Sequence, residues 1–414
     1  MSSGNLTSPQ QSELFRWNNA LEPEAYAHAT YQIVAHCDPL AAATAMAMEQ
    51  SASTVAIAGY VSPEQVEDWT IRVVSVEQGN QTTTSDISCY GLATEVYPKH
   101  TRITPCTVTL AIPKLLLNRS YVQWLNVLVG ELPRLGFLSA FRLTHVTGLN
   151  DWGPNPAFGI AGIRKTLGIQ KGPILCRSMR PAVGLDTTTM VRLNEAVLRG
   201  GFHLVKDDEL MVFESDSAFE QHVKAMVDCR DRIQNECQER KGYLATLICD
   251  PEELERRWEI CCEQGVDGVL IAPFIQGIGT LAQMAARKTL PILAHNTGAE
   301  TLTRHPHWGM AEAVWNTLIR HAGADWLVTS GGFGECSPPT PEEQVTLSAM
   351  QSPTSSPDSM PILQGGKCPE GLERYTHCVG NDDYMLIVAS WVDGHPQGLE
   401  TAARIFRESL GRLA

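Results

Sequence analysis

Basic residues are scarce in this chain. Lys and Arg total 32 against 46 Asp and Glu among 414 residues, a formal net charge of −14. An acidic surface repels phosphate backbones and anionic headgroups, which argues against nucleic acid and against a membrane surface as partners. Long apolar runs are missing as well: no stretch reaches the ~18 apolar residues that a spanning helix needs. The N-terminal stretch MSSGNLTSPQQSELF has neither the basic start nor the apolar core of a secretion signal. Residues 1–23 are therefore expected to be a polar, disordered lead-in. Cys-x-x-Cys pairs are absent too. The twelve cysteines are scattered and only Cys261 and Cys262 are adjacent. That spacing argues against a zinc site and for reduced, mostly buried thiols, as in a cytoplasmic protein.

What is present suits a large buried core, with 43% hydrophobic residues. Residues 24–147 read as a compact α+β domain, ferredoxin-like in arrangement. Strands are expected over 25–37, 69–76, 88–96, 107–112 and 137–146, and helices over 40–51 and 121–129. From Gly172 the pattern changes. Eight short apolar runs, starting near residues 174, 202, 243, 268, 291, 326, 361 and 384, alternate with amphipathic stretches such as 187–199, 218–240, 252–264 and 309–321. Continuous rather than alternating apolar runs fit parallel strands covered by helices, and eight β-then-α units fit a closed barrel. The fold class is thus α/β: a (β/α)8 TIM barrel over 148–414 behind the N-terminal α+β domain. An open doubly wound sheet is the competing arrangement. The polar stretch 351–358, QSPTSSPD, reads as an exposed loop.

Barrel chemistry sits where strands end. The second run, FHLV, ends in Lys206-Asp207-Asp208-Glu209. Alternation puts Lys206 and Asp208 on one face, with Glu209 at the strand mouth. Oxygen ligands this close suit Mg2+. A lysine among them either pairs with the carboxylates or, once deprotonated, takes up CO2 as a carbamate and becomes a third oxygen ligand. Standing alone, the motif would suit a solvated, salt-bridged turn better than a metal site.

It does not stand alone. Residues 200–209, GGFHLVKDDE, resemble the signature of the RuBisCO large-subunit superfamily. Further likenesses keep its order. Residues 154–168 are similar to the lead-in to the barrel and 176–185 to the first strand. The spacing from His295 to Gly309, the turn Gln364-Gly365-Gly366, the segment Gly394-His395-Pro396 and the N-terminal stretch 49–54, EQSAST, follow the same family pattern. The resemblance implies a magnesium site of carbamylated Lys206, Asp208 and Glu209, with Lys206, His295 and Arg180 as catalytic residues. It implies substrate and phosphate contacts from Arg180, Asn296, Ser330, Gly331, Gln364, Gly365, Gly366, Ala389 and Ser390. It also implies a homodimer in which Glu49, Thr54 and Glu131 reach a partner subunit's site.

The departures point away from CO2 fixation. Arg180 and Ala182 stand where the carboxylase has lysines. The loop after the sixth strand, Ser330–Cys336, lacks the lysine that steadies bound CO2. Asn296 replaces an arginine, Glu131 an asparagine, and Ala389-Ser390 a glycine pair. The superfamily's methionine-salvage enolase carries lysines where Thr109 and Glu131 stand here. The expected function is therefore Mg2+-dependent enolisation (isomerase or enolase) of a phosphorylated keto-sugar or related compound. Decarboxylation, C–C cleavage or transcarboxylation of an oxo-acid sugar phosphate is the alternative through the same enediolate. A non-catalytic binding member is the reading from a different class. With one cation fewer at Asn296, a monophosphate is expected over a bisphosphate. His305, His307, Asp250, Glu335 and His395 are weaker loop candidates.

Overall fold

The computed structural model describes residues 13–83, 102–149, 153–351 and 357–412. The chain forms two compact units, one of residues 1–152 with 299–315 and one of 153–298 with 316–414. The expected strand at 88–96 and most of the loop 351–358 lie outside the described residues.

The first unit is built on a five-stranded sheet in the order Trp308–Met310, Leu138–Thr147, Tyr26–Ala35, Pro105–Pro113, Arg72–Gln78. Tyr26–Ala35 is central and antiparallel to both neighbours. Tyr31 is buried there, and its hydroxyl donates to Leu128 O at 2.9 Å, the acceptor that a buried phenol needs. The helix Pro39–Glu49 starts where the Asp38 carboxylate accepts from Ala41 N at 2.9 Å and Pro39 presets the first turn. It buries Ala42, Ala43, Met46 and Ala47. Within the expected lead-in, Phe15 is buried and Trp17 N donates to Val73 O at 3.0 Å. The described end of that segment is thus held to the sheet.

One expected helix differs. The segment read as helical from Gly309 begins with the strand Trp308–Met310, parallel to Leu138–Thr147, and the helix starts only at Glu312. Gly309 has φ +88°, and a Cβ there would meet Leu302 O at 2.1 Å. The helical period continues across a residue that the backbone cannot accommodate as helix. In consequence 299–315 belong to the first unit rather than to the barrel.

The second unit is the barrel. Its eight strands are Ile174–Ser178, Leu204–Lys206, Gly242–Thr246, Gly268–Ile271, Ile292–Ala294, Trp326–Val328, Met360–Leu363 and Met385–Ile387. They pair in parallel and in order, and the eighth closes on the first, with Met385 opposite Ile174 and Ile387 opposite Cys176. Alternate side chains sort inside from outside. Cys176, Leu204, Leu244, Leu270, Leu293 and Ile362 share the interior cluster, while Leu175, Leu363 and Leu386 pack with Val197, Ala402 and Phe406 of the helical layer. No helix among the described residues is long and apolar enough to cross a membrane.

At the N-terminal end of the sixth strand the buried Asp325 ties three segments together. Its Oδ1 accepts from Phe158 N and Gly159 N, both at 2.8 Å, and its Oδ2 from Ile292 N at 2.9 Å. Asp325→Ala would orphan three amides, two of them buried, and is expected to cost about 3 kcal/mol in denaturant unfolding. Burial raises the Asp325 carboxyl from 3.8 to about 6, against the pull of those amides. A folded-state value above the unfolded one means the fold holds the proton more tightly, so this contribution is complete below about pH 4 and falls away as pH rises to about 6. Wild type should therefore lose stability relative to Asp325→Asn from pH 4 to pH 6. A wild type that gains stability relative to the variant over that range would contradict this reading of Asp325.

Candidate active site

The second strand delivers Lys206-Asp207-Asp208-Glu209, and alternation splits them. Asp207 turns outward to the helical layer. It accepts from Tyr243 OH at 2.7 Å and Thr246 N at 3.2 Å, and lies 3.1 Å from His222 Nε2. Its role is to fasten the strand end. Lys206 and Asp208 are buried, and Glu209 is nearly so. Asp208 Oδ1 accepts from Leu210 N at 3.1 Å, and its Oδ2 lies 3.3 Å from Ser178 Oγ on the first strand. Lys206 Nζ donates to Asp207 O at 2.9 Å and reaches Glu209 Oε2 at 3.5 Å.

Arg180, just past the first strand, bridges the two carboxylates. Its Nε is 2.9 Å from Asp208 Oδ2 and its Nη2 is 2.8 Å from Glu209 Oε1. Its backbone is held by a residue that sequence reasoning missed. The buried Arg177 donates to Arg180 O at 2.8 Å, to Asp393 Oδ1 at 3.0 Å and to Asn194 Oδ1 at 3.3 Å. A charged residue inside an otherwise apolar strand was the available signal. Burial, and then the neighbouring Glu209, raise the Asp208 pKa above the usual carboxylate value. Burial acts the same way on Glu209, but Lys206, His295 and Arg180 together outweigh it and its pKa falls.

The fifth strand ends at His295, whose Nε2 faces Glu209 Oε2 at 3.5 Å. Thr297 N donates to His295 Nδ1 at 3.2 Å, and Thr297 Oγ1 lies 2.6 Å from the same nitrogen. Burial, reinforced by Lys206, pushes His295 down to about 3, so the ring is neutral. With Nδ1 accepting, the proton of the neutral ring sits on Nε2.

Strands five to seven are cross-linked at their ends. Asn296 Nδ2 donates to Thr329 O at 3.1 Å, and Gln364 Nε2 donates to Asn296 Oδ1 at 3.2 Å. The turns Ser330–Gly332 and Gly365–Gly366 abut. Gly365, at φ +77°, lies so close that a Cβ would meet Gly331 O at 2.8 Å, whereas Cβ positions at Gly331 and Gly366 face open space. Ala389 precedes the short helix Ser390–Asp393, which Arg177 anchors through Asp393. The loop after strand six is stapled. The buried Lys367 donates to Phe333 O at 2.8 Å and to Glu335 Oε1 at 2.5 Å, and Gly334 N donates to Glu343 Oε1 at 2.8 Å. Lys367 therefore does not stand in for the loop lysine that is missing, because its ammonium is spent on the loop itself.

Among the weaker candidates, Glu335 belongs to that staple, and Asp250 caps the helix Pro251–Gln264 in a capping box. His395 packs against Trp391 with the rings tilted and their centroids 5.1 Å apart. His305 and His307 belong to the first unit, where Arg142 Nη1 donates to His305 O. There too Arg134 pairs with both Glu49 and Glu131, gathering two of the residues expected to serve a partner's site, while Thr54 is exposed. Nothing in the sequence singled out Arg134. A cleft of about 400 Å³ beside the site is lined by Met211, Ile248, Asp250, Ile275 and Arg257. Arg257 is engaged there by Asp216 and Glu253.

Known proteins of one family match this arrangement. The catalytic domain of the ribulose bisphosphate carboxylase large chain matches residues 159–338. A 3-oxo-isoapionate-4-phosphate transcarboxylase/hydrolase from Xanthobacter autotrophicus is 26% identical over 384 residues, 90% of each chain. A 2,3-diketo-5-methylthiopentyl-1-phosphate enolase from Bacillus licheniformis is 26% identical over 310 residues, 73% of this chain and 75% of that one. In the crystal structure of a rubisco-like protein (MtnW) from Alicyclobacillus acidocaldarius the fold recurs with a TM-score of 0.80, at 23% identity over 94% of both chains. In sequence the chain is similar to RuBisCO-like members of the RuBisCO large-subunit superfamily, and it shares their fold.

Proposed function

We propose that the chain is a Mg2+-dependent enzyme that forms an enediolate from a phosphorylated keto-sugar or oxo acid, and is not a CO2-fixing carboxylase. The observation that carries this is the Asp208–Glu209 pair, two neighbouring carboxylates sharing one cation, with Lys206 and His295 facing the same space. Hard, buried oxygens around one positive charge fit a divalent ion. Among the described residues no three His, Cys, Asp or Glu side chains form a metal-holding group. A carbamate on Lys206 would supply the third oxygen. Bound there, Mg2+ would supply the positive charge that an enolate needs.

The chain's own residues do the rest. Neutral His295 offers an Nε2 proton to a substrate oxygen as hydrogen-bond donor or acid. The Gly331 and Gly365–Gly366 turns leave room at the backbone for a phosphate. The Asn296–Gln364 pair, neutral where a second cation would stand, favours a monophosphate with an uncharged or carboxylate far end. Of the two enolate routes, loss of a carboxylate draws support from two observations. His295 presents a proton rather than a lone pair, and Thr109 stands where the enolase has its lysine. The relative covering 90% of this chain is a transcarboxylase/hydrolase. The eleven described cysteines are free, in keeping with a reducing compartment.

The first test is activity. Purified protein with Mg2+ is expected to convert a phosphorylated 3-oxo sugar acid or keto-sugar monophosphate, followed by phosphorus NMR, and to leave labelled bicarbonate unincorporated with ribulose bisphosphate. Asp208→Asn should lower turnover by roughly a hundredfold or more, since even outer partners of metal ligands cost roughly 10–100-fold. Labelled carbon fixed onto ribulose bisphosphate would refute the proposal.

The loop Ser330–Cys336 is read as a fixed wall, not a lid. Lys367→Met should cost about 2 kcal/mol and speed amide hydrogen exchange across 330–336, with KM rising more than kcat falls. Unchanged exchange there would show that the lysine does not hold the loop.

A homodimer follows if Glu49, Thr54 and Glu131 complete the partner's site. Light scattering should give a dimer or a multiple of it. Mixing inactive Glu49→Gln with inactive Asp208→Asn should restore about a quarter of wild-type activity, since half the dimers are mixed and each has one intact site. No recovery on subunit exchange would place each site within one chain.

A further inference from the structure

From the contacts of Arg180 we infer that this side chain has two positions, and that switching between them couples metal binding to anion binding. Without a divalent ion the guanidinium serves as the counter-cation of Asp208 and Glu209. With the ion in place it is displaced and becomes the ligand of a tetrahedral oxyanion on the substrate. The inference rests on the reading of those two carboxylates as metal ligands.

Three features of the site support it. Asp208 is completely buried, so its charge must be matched by something fixed or bound close by. Arg180 meets both carboxylates at 2.8–2.9 Å, the place a shared metal ion would have to occupy. A guanidinium and a divalent cation cannot both sit there, because like charges a few ångströms apart in a poorly screened site repel strongly. Unlike Asp208, the Arg180 side chain is 50% exposed and can leave without being drawn through the core. Its backbone cannot follow, since Arg177 grips Arg180 O at 2.8 Å and is itself tied to Asp393 on the short helix that begins at Ser390. Displacement is thus a swing of a long side chain about a fixed point, and the released group is a planar, permanently charged fork suited to oxyanions. A lysine at this position would pair with one carboxylate at a time; the arginine closes both, which makes the metal-free state a defined, neutralised state rather than a repelling pair.

The consequence is cooperativity, reciprocal by thermodynamic necessity. An anion that captures the freed arginine removes the competitor for the carboxylates. A metal that occupies the carboxylates releases the arginine for the anion. Neither ligand alone receives full affinity, so the site closes properly only around the two together.

Mn2+ binding, read from the loss of the free-ion paramagnetic resonance signal, tests this without any turnover. Sulfate serves as the non-titrating oxyanion. In wild type, saturating sulfate is expected to tighten Mn2+ binding on the order of tenfold, within the usual range of such couplings. Arg180→Gln should bind Mn2+ about tenfold more tightly than wild type in the absence of sulfate, and should show no sulfate effect. Metal-free Arg180→Gln should also melt below wild type and regain the difference with Mn2+. If sulfate leaves wild-type Mn2+ affinity unchanged, or if Arg180→Gln binds Mn2+ no more tightly than wild type, the two-position arginine is wrong. The sulfate measurement on wild type stands even if the variant fails to fold. Asp208→Asn separates the two levels of the argument. Should it bind Mn2+ as wild type does, the metal reading falls and this inference with it. Should it lose Mn2+ while Arg180→Gln behaves as wild type, the inference alone falls.

Discussion

Two carboxylates held together at a largely buried strand end are the constraint around which the rest of this barrel mouth is arranged. Asp208 is completely buried and Glu209 nearly so. Lost hydration works against the charge on both; with the neighbouring Glu209 it raises the Asp208 pKa, while at Glu209 the surrounding positive charge outweighs it. A pair of this kind persists only where positive charge and donors converge on it. Lys206, Arg180 and the Nε2–H of His295 do so from three different strand ends. Two of these groups are in turn fixed by residues with no stated contact to the pair: Thr297 sets the histidine tautomer, and Arg177 holds the Arg180 backbone.

That division of labour explains why the scaffold matters to the chemistry. Asp207, between two residues that face inward, uses the opposite face of the strand to bond Tyr243, Thr246 and His222, and so fixes the height at which Asp208 emerges. On the far side of the mouth, Lys367 and Glu343 spend their charges on the backbone and side chains of the strand-six loop. Neither charge is left to face the mouth of the barrel alone. A loop that lacks that lysine and is held by Lys367 and Glu343 fits an enzyme that manages an enolate without capturing CO2.

The eight barrel strands and the long helices between them were legible because parallel strands covered by helices need continuous apolar runs, and the runs starting near 174, 202, 243, 268, 291, 326, 361 and 384 each contain or overlap a strand. The helix over 187–199 was read to the residue, since Asp186 caps it and Gly200 ends it. The segment from Gly309 misled because its apolar spacing continues a helical period across a glycine with φ +88° that the sheet of the first unit recruits as an edge strand. Lys206, Asp208 and Glu209 were legible as a motif because alternation within one strand is a local rule. Arg177, Thr297, Lys367 and Arg134 were not, because each matters through a partner on another segment.

By itself the sequence determined the resemblance to the RuBisCO superfamily, the count of barrel strands, the acidic motif and the absence of the carboxylase lysines. All of these are written in residue types at short spacing, where chain geometry leaves few alternatives. Only the tertiary structure decided who pairs with whom. Arg180, read from sequence as an anion clamp, lies on Asp208 and Glu209. His295, expected among the catalytic residues, presents its proton. Glu49 and Glu131, far apart in the chain, meet on Arg134. The reason is electrostatic. Which cation a buried carboxylate takes depends on every charge that folding brings within a few ångströms, and barrel closure sets that neighbourhood from strand ends that are remote in sequence.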